Sequence, residues 1–209
     1  TMKRNNIRIA IQKEGRLRNP SLEYLESLGL EFSKENGRTL VVPCKNDDVE
    51  ILYVRHSDIQ QYVQNGAADF AIVGGNVLYE KNFNIKKVKK LDFGKCSLVI
   101  AVPLASPIQK IQDLEGERIA TSYPNSLRKF LQTQKINAAI IEIKGSVEVA
   151  PALGLADAIC DLTQTGNTLK ENSLKPIETL FNSTALLIES PFESRQKDKF
   201  TQKFLTTTL

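Results

Sequence analysis

Two apolar rhythms alternate along this chain. Short β-rich runs recur as "IRIAIQ" (7–12), "TLVVPC" (39–44), "EILYVR" (50–55), "DFAIVGG" (69–75) and "CSLVIAVP" (96–103). Between them the apolar positions spread to helical intervals. Leu22, Leu25 and Leu28 share one face of a helix predicted over Ser21–Leu28, with Ser21 as its cap and Gly29 as its stop. Ser57 is expected to cap "SDIQQYVQNG", which Gly66 ends. After Pro103, "DLEGERIATSYPN" predicts a turn, a strand and a loop, and Ser126–Lys135 a helix. "AAIIEIKGSVEVAPALGLADAICDLTQTG" follows as strand, loop, short helix, strand and loop. "ETLFNSTALLIES" predicts two strands or a hairpin, and a last helix comes after it. Strands alternating with helices imply an α/β protein with mostly parallel sheets.

One segment echoes another. "NGAADFAIVGGNVL" (Asn65–Leu78) resembles "LGLADAICDLTQTGNTL" (Leu153–Leu169). Each runs from a helix end through Gly, one residue, Ala-Asp and an apolar strand into a Gly-containing loop. The strand delivers that loop at its C-terminal edge, where open α/β sheets bind ligands. Two copies suggest two similar lobes facing one cleft. The plainer alternative is that Gly-x-Ala-Asp only packs a helix onto a sheet.

The second copy carries the candidate chemistry. On one strand Asp157 and Asp161 share a face, because side chains repeat every two residues. Asp161 is nearer the loop and is the better ligand-facing acid. Acids in an apolar run need partners, whether basic residues, Mg²⁺ or sugar hydroxyls. The loop Thr163–Thr168 is rich in hydroxyls, and its successive N–H groups can form an anion nest. Gly166 lets the main chain approach an oxygen closely, and a helix turn opening at Thr168-Leu169 adds positive potential. A hydroxyl-binding acid beside a phosphate cradle suits a ribose 5-phosphate.

Composition narrows the partners. The 209 residues are 41% hydrophobic and 25% charged, with net charge +4 and pI about 8.9. That is enough chain for one large domain or two small lobes. It lacks the dense Lys/Arg stripe of a nucleic-acid binder, while a polyanionic small molecule suits the mild excess of positive charge. The densest cluster, Lys86, Lys87, Lys89 and Lys90, reads as a solvated face. Cys44, Cys96 and Cys160 show no zinc spacing, and His56 is the only histidine. Reduced thiols point to a reducing cytoplasm. No segment approaches the roughly 20 apolar residues of a membrane span, and no signal-peptide run opens the chain. Thr1 ahead of Met2 reads as a cloning remnant and "KFTQKFLTTTL" as a helix cut without a cap, which fits a piece of a longer natural protein as well as a short form.

"DAICDLTQTGNTL", "GSVEVAPALGLAD", "IATSYPN", "QKEGRL", "GAADFAIVGGNVL" and "FGKCSLVIAVP" together resemble the ATP phosphoribosyltransferases, from Ile7 to about Ile188. The resemblance implies two α/β lobes of the type II periplasmic-binding-protein kind, with mixed, mostly parallel sheets and the active site in the interlobe cleft. Lobe I is expected over 1–101 and 179–209, and lobe II over 102–178, with the loop 157–169 binding phosphoribosyl pyrophosphate (PRPP). The implied reaction is transfer of phosphoribosyl from PRPP to N1 of ATP with Mg²⁺, the first step of histidine biosynthesis in the cytoplasm. A homo-oligomer is expected. A short form would pair with a regulatory subunit resembling histidyl-tRNA synthetase; a long form would carry its own histidine-sensing domain. The rival readings are a two-lobe intracellular solute- or effector-binding protein without catalysis, and a phosphoribosyltransferase for another base.

The resemblance carries roles onto particular residues. Thr163, Thr165, Gly166, Asn167 and Thr168 should hold the 5′-phosphate, and Asp161 and Asp157 should face the ribose. Lys13 and Arg16, around Gly15, should meet pyrophosphate or triphosphate charge, with a solvated turn as the alternative. Arg55 should stabilise the leaving pyrophosphate; a surface salt bridge is its alternative. Tyr123 should contact adenine or else serve as a core tyrosine. Glu142 and Glu148 should serve the nucleotide or Mg²⁺, or form structural ion pairs; the metal ligands stay unassigned. The family's first loop usually reads Lys-Gly-Arg-Leu, and here Glu14 intervenes between Lys13 and Gly15.

Overall fold

The computed structural model describes residues 4–34, 38–83 and 85–206. Thr1, Met2 and the last three residues of "KFTQKFLTTTL" lie outside them. In chain order the strands are β1 (Ile7–Gln12), β2 (Val41–Pro43), β3 (Val49–Val54), β4 (Phe70–Gly74), β5 (Lys86–Lys90), β6 (Cys96–Pro103), β7 (Arg118–Thr121), β8 (Ala139–Glu142), β9 (Ala158–Thr163), β10 (Leu174–Ser183) and β11 (Ala185–Glu189). The helices are α1 (Arg18–Ser27), α2 (Ile59–Gln64), α3 (Gly75–Glu80), α4 (Pro124–Gln134), α5 (Asn167–Glu171) and α6 (Arg195–Phe200). The chain divides into two compact units, one of Thr1–Val77, Asn82–Gly94 and Thr184–Leu209, the other of Leu78–Lys81 and Lys95–Ser183.

The first unit is built on a six-stranded sheet in the order β2-β3-β1-β4-β11-β5. Its middle is parallel, β1 pairing with β3 and β4, and its flanks are antiparallel. Alternation along β1 turns Ile7, Ile9 and Ile11 to a core shared with Leu17, Leu25 and Phe200. The second unit has the order β10-β6-β9-β7-β8. Here β7 runs parallel to β8 and β9, while β6 and β10 are antiparallel additions. Parallel pairs need crossover connections, and α4 makes the one between β7 and β8.

Several local expectations shift. Helix α1 begins at Arg18, three residues before Ser21, and Ser21 sits fully buried inside it rather than capping it. Asp58 precedes α2 without a side-chain cap bond, so Ser57 lies outside the capping position. Of the two readings of 178–190, two separate strands holds over a hairpin: β10 and β11 join different sheets and part at Thr184, whose hydroxyl donates to the carbonyls of Leu91 (2.6 Å) and Phe93 (2.7 Å). Lys86–Lys90 forms the edge strand β5, with all four lysines exposed. Lysines on an edge discourage pairing with foreign strands. The last helix continues past α6 as a wider π-type turn over Thr201–Leu205.

The two echoed segments fold alike. Gly66 and Gly154 each take a left-handed φ, +71° and +73°. The Asp69 N–H donates to the Arg8 carbonyl at 2.8 Å, and Asp69 Oδ2 accepts the Arg8 N–H at 2.9 Å. Asp157 repeats both bonds with Arg118, each at 2.8 Å. The Asp of Gly-x-Ala-Asp therefore ties the start of its strand to the start of the neighbouring parallel strand.

Candidate active site

In the second unit, the C-terminal ends of three parallel strands gather the predicted residues. Thr121 pairs with Cys160 on one side and with Glu142 on the other. Tyr123, Glu142 and the loop after β9 therefore leave the sheet from one edge. Tyr123 precedes α4, half-buried against the core that includes Leu127. Glu142 is exposed at the end of β8, and Glu148 is half-buried in a short 3-10 turn, Val147–Val149.

Asp161 stands one residue beyond the Cys160 pairing, on the same face of β9 as Ile159, which packs with Val147 and Leu169. Burial pushes its carboxyl up to about 6; the Leu162 N–H, 2.8 Å from Oδ1, works against that rise, and the nearby charge of Glu148 adds to it. Among the described residues no salt bridge to a base offsets this. The carboxylate is therefore poised to take a cation or hydroxyl donors.

The loop that follows is already folded. Gly166 takes φ +81° at the start of α5, a conformation costly for residues with a Cβ. Its N–H donates to Thr163 Oγ1 at 3.0 Å, and the Asn167 N–H donates to Thr165 Oγ1 at 3.3 Å. These hydroxyls hold the bend and are displaceable by a stronger acceptor such as a phosphate oxygen. Thr165, Asn167 and Thr168 are exposed.

Asp157 is not brought to this loop. It lies before the opposite end of β9, about 20 Å of extended chain from Thr163 at the usual strand rise. Arg118 engages it through Nε (3.2 Å) and Nη2 (3.2 Å) as well as the main chain. Strand periodicity places both acids on one face but does not say at which end each is used.

In the first unit, β1 and β3 end side by side. Gln12 pairs with Val54, and the Lys13 N–H donates to the Val54 carbonyl at 2.8 Å. Lys13 and Arg55 thus leave adjacent strand ends, and Arg55 is exposed. The first loop folds over Gln12, whose Oε1 accepts the Leu17 N–H at 3.1 Å. Gly15, at φ +116°, leaves no room for a side chain, since a Cβ would stand 2.4 Å from Gln12 Nε2. Arg16 Nη1 donates to the Gly94 carbonyl at 3.0 Å. Glu14 lines a cavity of about 520 Å³ with Arg18, Asn19, Leu22 and Tyr53. The Arg18 guanidinium lies over the Tyr53 ring, 4.7 Å from its centroid.

Two supporting residues lie beyond what the sequence alone suggests as a site. Glu80 accepts the Asn125 N–H (2.9 Å), the Ser126 N–H (2.7 Å) and the Ser126 hydroxyl (2.7 Å), closing the start of α4. Nothing local signals that reach across 45 positions. Arg118 does carry a visible sign: "RIA" opens β7 at Arg118 and follows the first residue of β1 at Arg8. Among the described residues no group of three or more His, Cys, Asp or Glu could hold a metal by itself, and no helix is long and apolar enough to cross a membrane.

Fold and site define an α/β protein with the periplasmic-binding-protein fold and a hydroxyl-rich loop behind a half-buried acid. The alkanesulfonate-binding protein SsuA from Xanthomonas axonopodis pv. citri shares that fold at TM-score 0.58 and 16% identity, over 95% of this chain and 68% of that one. The chain belongs to the ATP phosphoribosyltransferase (HisG) family, whose sequence model matches residues 55–208. An ATP phosphoribosyltransferase from Cytophaga hutchinsonii is 46% identical over 191 residues, 91% of this chain and 66% of the relative. The ATP phosphoribosyl transferase (HisG:HisZ) complex from Thermotoga maritima superposes at TM-score 0.79 with 31% identity, covering 95% of this chain and 94% of that one. The chain spans about two thirds of the length of the curated relatives it matches.

Proposed function

We propose that the chain transfers the 5-phosphoribosyl group of PRPP to N1 of ATP and releases pyrophosphate, the first step of histidine biosynthesis. The β9 turn carries this reading: a half-buried acid pushed up to about 6 is followed at once by a left-handed glycine and three threonines. A plain amino-acid binder needs no such phosphate cradle. Family membership favours the transferase over the solute-binding alternative.

Thr163, Thr165, Gly166, Asn167 and Thr168 take the 5′-phosphate, and Asp161 takes the ribose side. Tyr123 and Glu142 serve the nucleotide. In the first unit Lys13 and Arg16, around Gly15, take phosphate charge, and Arg55 grips the leaving pyrophosphate, as a guanidinium fork suits phosphoryl oxygens. Asp157 has no part in this assignment, because Arg118 already occupies it.

The N1–C1′ bond forms as the C1′–O bond to pyrophosphate breaks. Adenine N1 attacks with its lone pair, so no proton must leave first and no general base is required. The difficult part is charge building on pyrophosphate, which fixed cations stabilise. Asp161 and Glu148 fit Mg²⁺, a hard ion that takes one or two carboxylates and completes its shell with substrate phosphates and water. When bound, Mg²⁺ supplies further neutralisation of the leaving group.

Three cysteines that form no disulfide, two of them buried, suit a cytoplasmic enzyme. Self-association and a separate regulatory chain resembling histidyl-tRNA synthetase belong to the same proposal; the Thermotoga relative is itself a HisG:HisZ complex. A pyrophosphate-release assay tests the core of it. Release that requires both ATP and PRPP is expected. Binding of either without release would establish the solute-binding alternative.

A further inference from the structure

Asn76 is only 1% exposed, and neither Oδ1 nor Nδ2 of its carboxamide has a hydrogen-bond partner among the described residues. Buried amides are almost always satisfied, so an unsatisfied pair calls for a cause. The surroundings supply one. Gly74 ends β4 with no side chain, and a Cβ there would stand 2.4 Å from Asn76 Oδ1 and 3.5 Å from Arg16 Nη2. A Cβ on Gly94, at φ +68°, would likewise stand 3.5 Å from Arg16 Nη1. The Gly94 Cβ would crowd Leu17 first, at 2.5 Å, so it is the missing side chain of Gly74 that leaves a slot bordered by both the Asn76 carboxamide and the Arg16 guanidinium. The Gly94 carbonyl fixes one nitrogen of that guanidinium at 3.0 Å.

We infer that Asn76 is a positioning residue for Arg16. Its Oδ1 borders the same slot as Nη2 without bonding to it in the free protein, and it becomes the acceptor that keeps the guanidinium fork in one orientation when that fork takes a phosphoryl oxygen. The cost of an unsatisfied amide in the free protein is the cost of a preformed anion-binding group. The inference rests on the reading of Arg16 as a ligand for phosphate charge. Gly74 belongs to the same device, because a side chain there would displace the Asn76 carboxamide that borders Arg16.

The test is a double-mutant cycle read by calorimetry with inorganic pyrophosphate as the probe. Asn76→Leu keeps the shape and removes the unsatisfied pair, so the melting temperature should hold or rise. Pyrophosphate affinity should nevertheless fall about tenfold, the scale of removing one charge-assisted hydrogen bond. A purely structural role cannot move the two readouts in opposite directions. In the double variant with Arg16→Ala, Asn76→Leu should add nothing further. Gly74→Ala should reproduce the affinity loss when Arg16 is present. Unchanged affinity in Asn76→Leu, or a loss that adds to that of Arg16→Ala, overturns the inference. Turnover of ATP and PRPP by the unaltered chain is measured alongside. An active chain without this coupling sinks the inference alone, and an inactive chain sinks the functional reading.

Discussion

Asp157 and Arg118 exchange main-chain and side-chain bonds at the start of β9 and β7: the Asp157 N–H reaches the Arg118 carbonyl at 2.8 Å, and Asp157 Oδ2 accepts the Arg118 N–H at 2.8 Å. Asp69 and Arg8 do the same in the first unit. The repeated Gly-x-Ala-Asp is therefore a fastening for parallel strands, used twice.

Replacing Asp157 by Ala should destabilise the protein by about 1–2 kcal/mol, the scale of a hydrogen bond to a charged group. PRPP affinity should not change. Bonds from the Arg118 side chain and N–H hold the Asp157 carboxyl below the usual carboxylate range. A depressed value stabilises the fold above the ordinary carboxylate pKa, and that stability is lost as pH falls through the folded-state value. The deficit of the variant should thus shrink under strongly acidic conditions, below pH about 4. Chemical denaturation at pH 7 and pH 3 checks both halves, and a drop in PRPP affinity would return Asp157 to the site.

Asp161 should behave in the opposite sense. Its folded-state value is raised to about 6, so its contribution to stability is present below the ordinary carboxylate pKa and lost as pH rises through 6. Asp161→Asn should therefore melt higher than the parent at pH 8 and close to it at pH 4. The same variant should lose PRPP binding, and in the parent PRPP affinity should decline as pH drops through 6. Equal melting temperatures at pH 8 would remove the buried-charge argument.

Gly166→Ala should cost about 1 kcal/mol for a left-handed residue with a Cβ. No atom lies within 4 Å of that Cβ, so the penalty is conformational and not a clash. Asn tolerates this region better, so Gly166→Asn should recover most of the stability. If the main chain approaches the 5′-phosphate here, both variants should bind PRPP weakly. Restored affinity in Gly166→Asn would place the phosphate elsewhere.

Arg55→Ala should depress kcat far more than it weakens ATP binding, because its charge is needed as pyrophosphate departs. A steady-state comparison with a direct ATP binding measurement separates the two. Unchanged turnover takes Arg55 out of the mechanism.

Glu80→Ala should loosen α4. Three bonds from Asn125 and Ser126 end on its carboxylate, and an N-terminal cap of this kind is worth about 1–2 kcal/mol. Hydrogen exchange should quicken in Pro124–Gln134 before the rest of the second unit. Uniform exchange would show that packing of Leu127 and Leu131 alone holds the helix.

Much of this architecture is written in the order of residues. The apolar alternation of "IRIAIQ" and "DFAIVGG", the glycine stops at Gly29 and Gly66, and the hydroxyl-rich bend at Thr163–Thr168 are short-range matters, and short-range matters survive into the fold. The echo between 65–78 and 153–169 is equally plain. Other features depend on what the chain meets far away. Sequence alone turns Asp157 toward a ligand, because its partner Arg118 lies 39 positions off. Lysine composition hides the strand at Lys86–Lys90, which forms because Leu186–Glu189 offers it a ladder. The segment 178–190 cannot announce that it feeds two sheets. The slot shared by the Asn76 carboxamide and Arg16 exists only once the two are assembled beside Gly74. Local sequence sets backbone preference and which face is apolar; burial, charge pairing and the filling of space are properties of neighbours, and the folded chain alone chooses those.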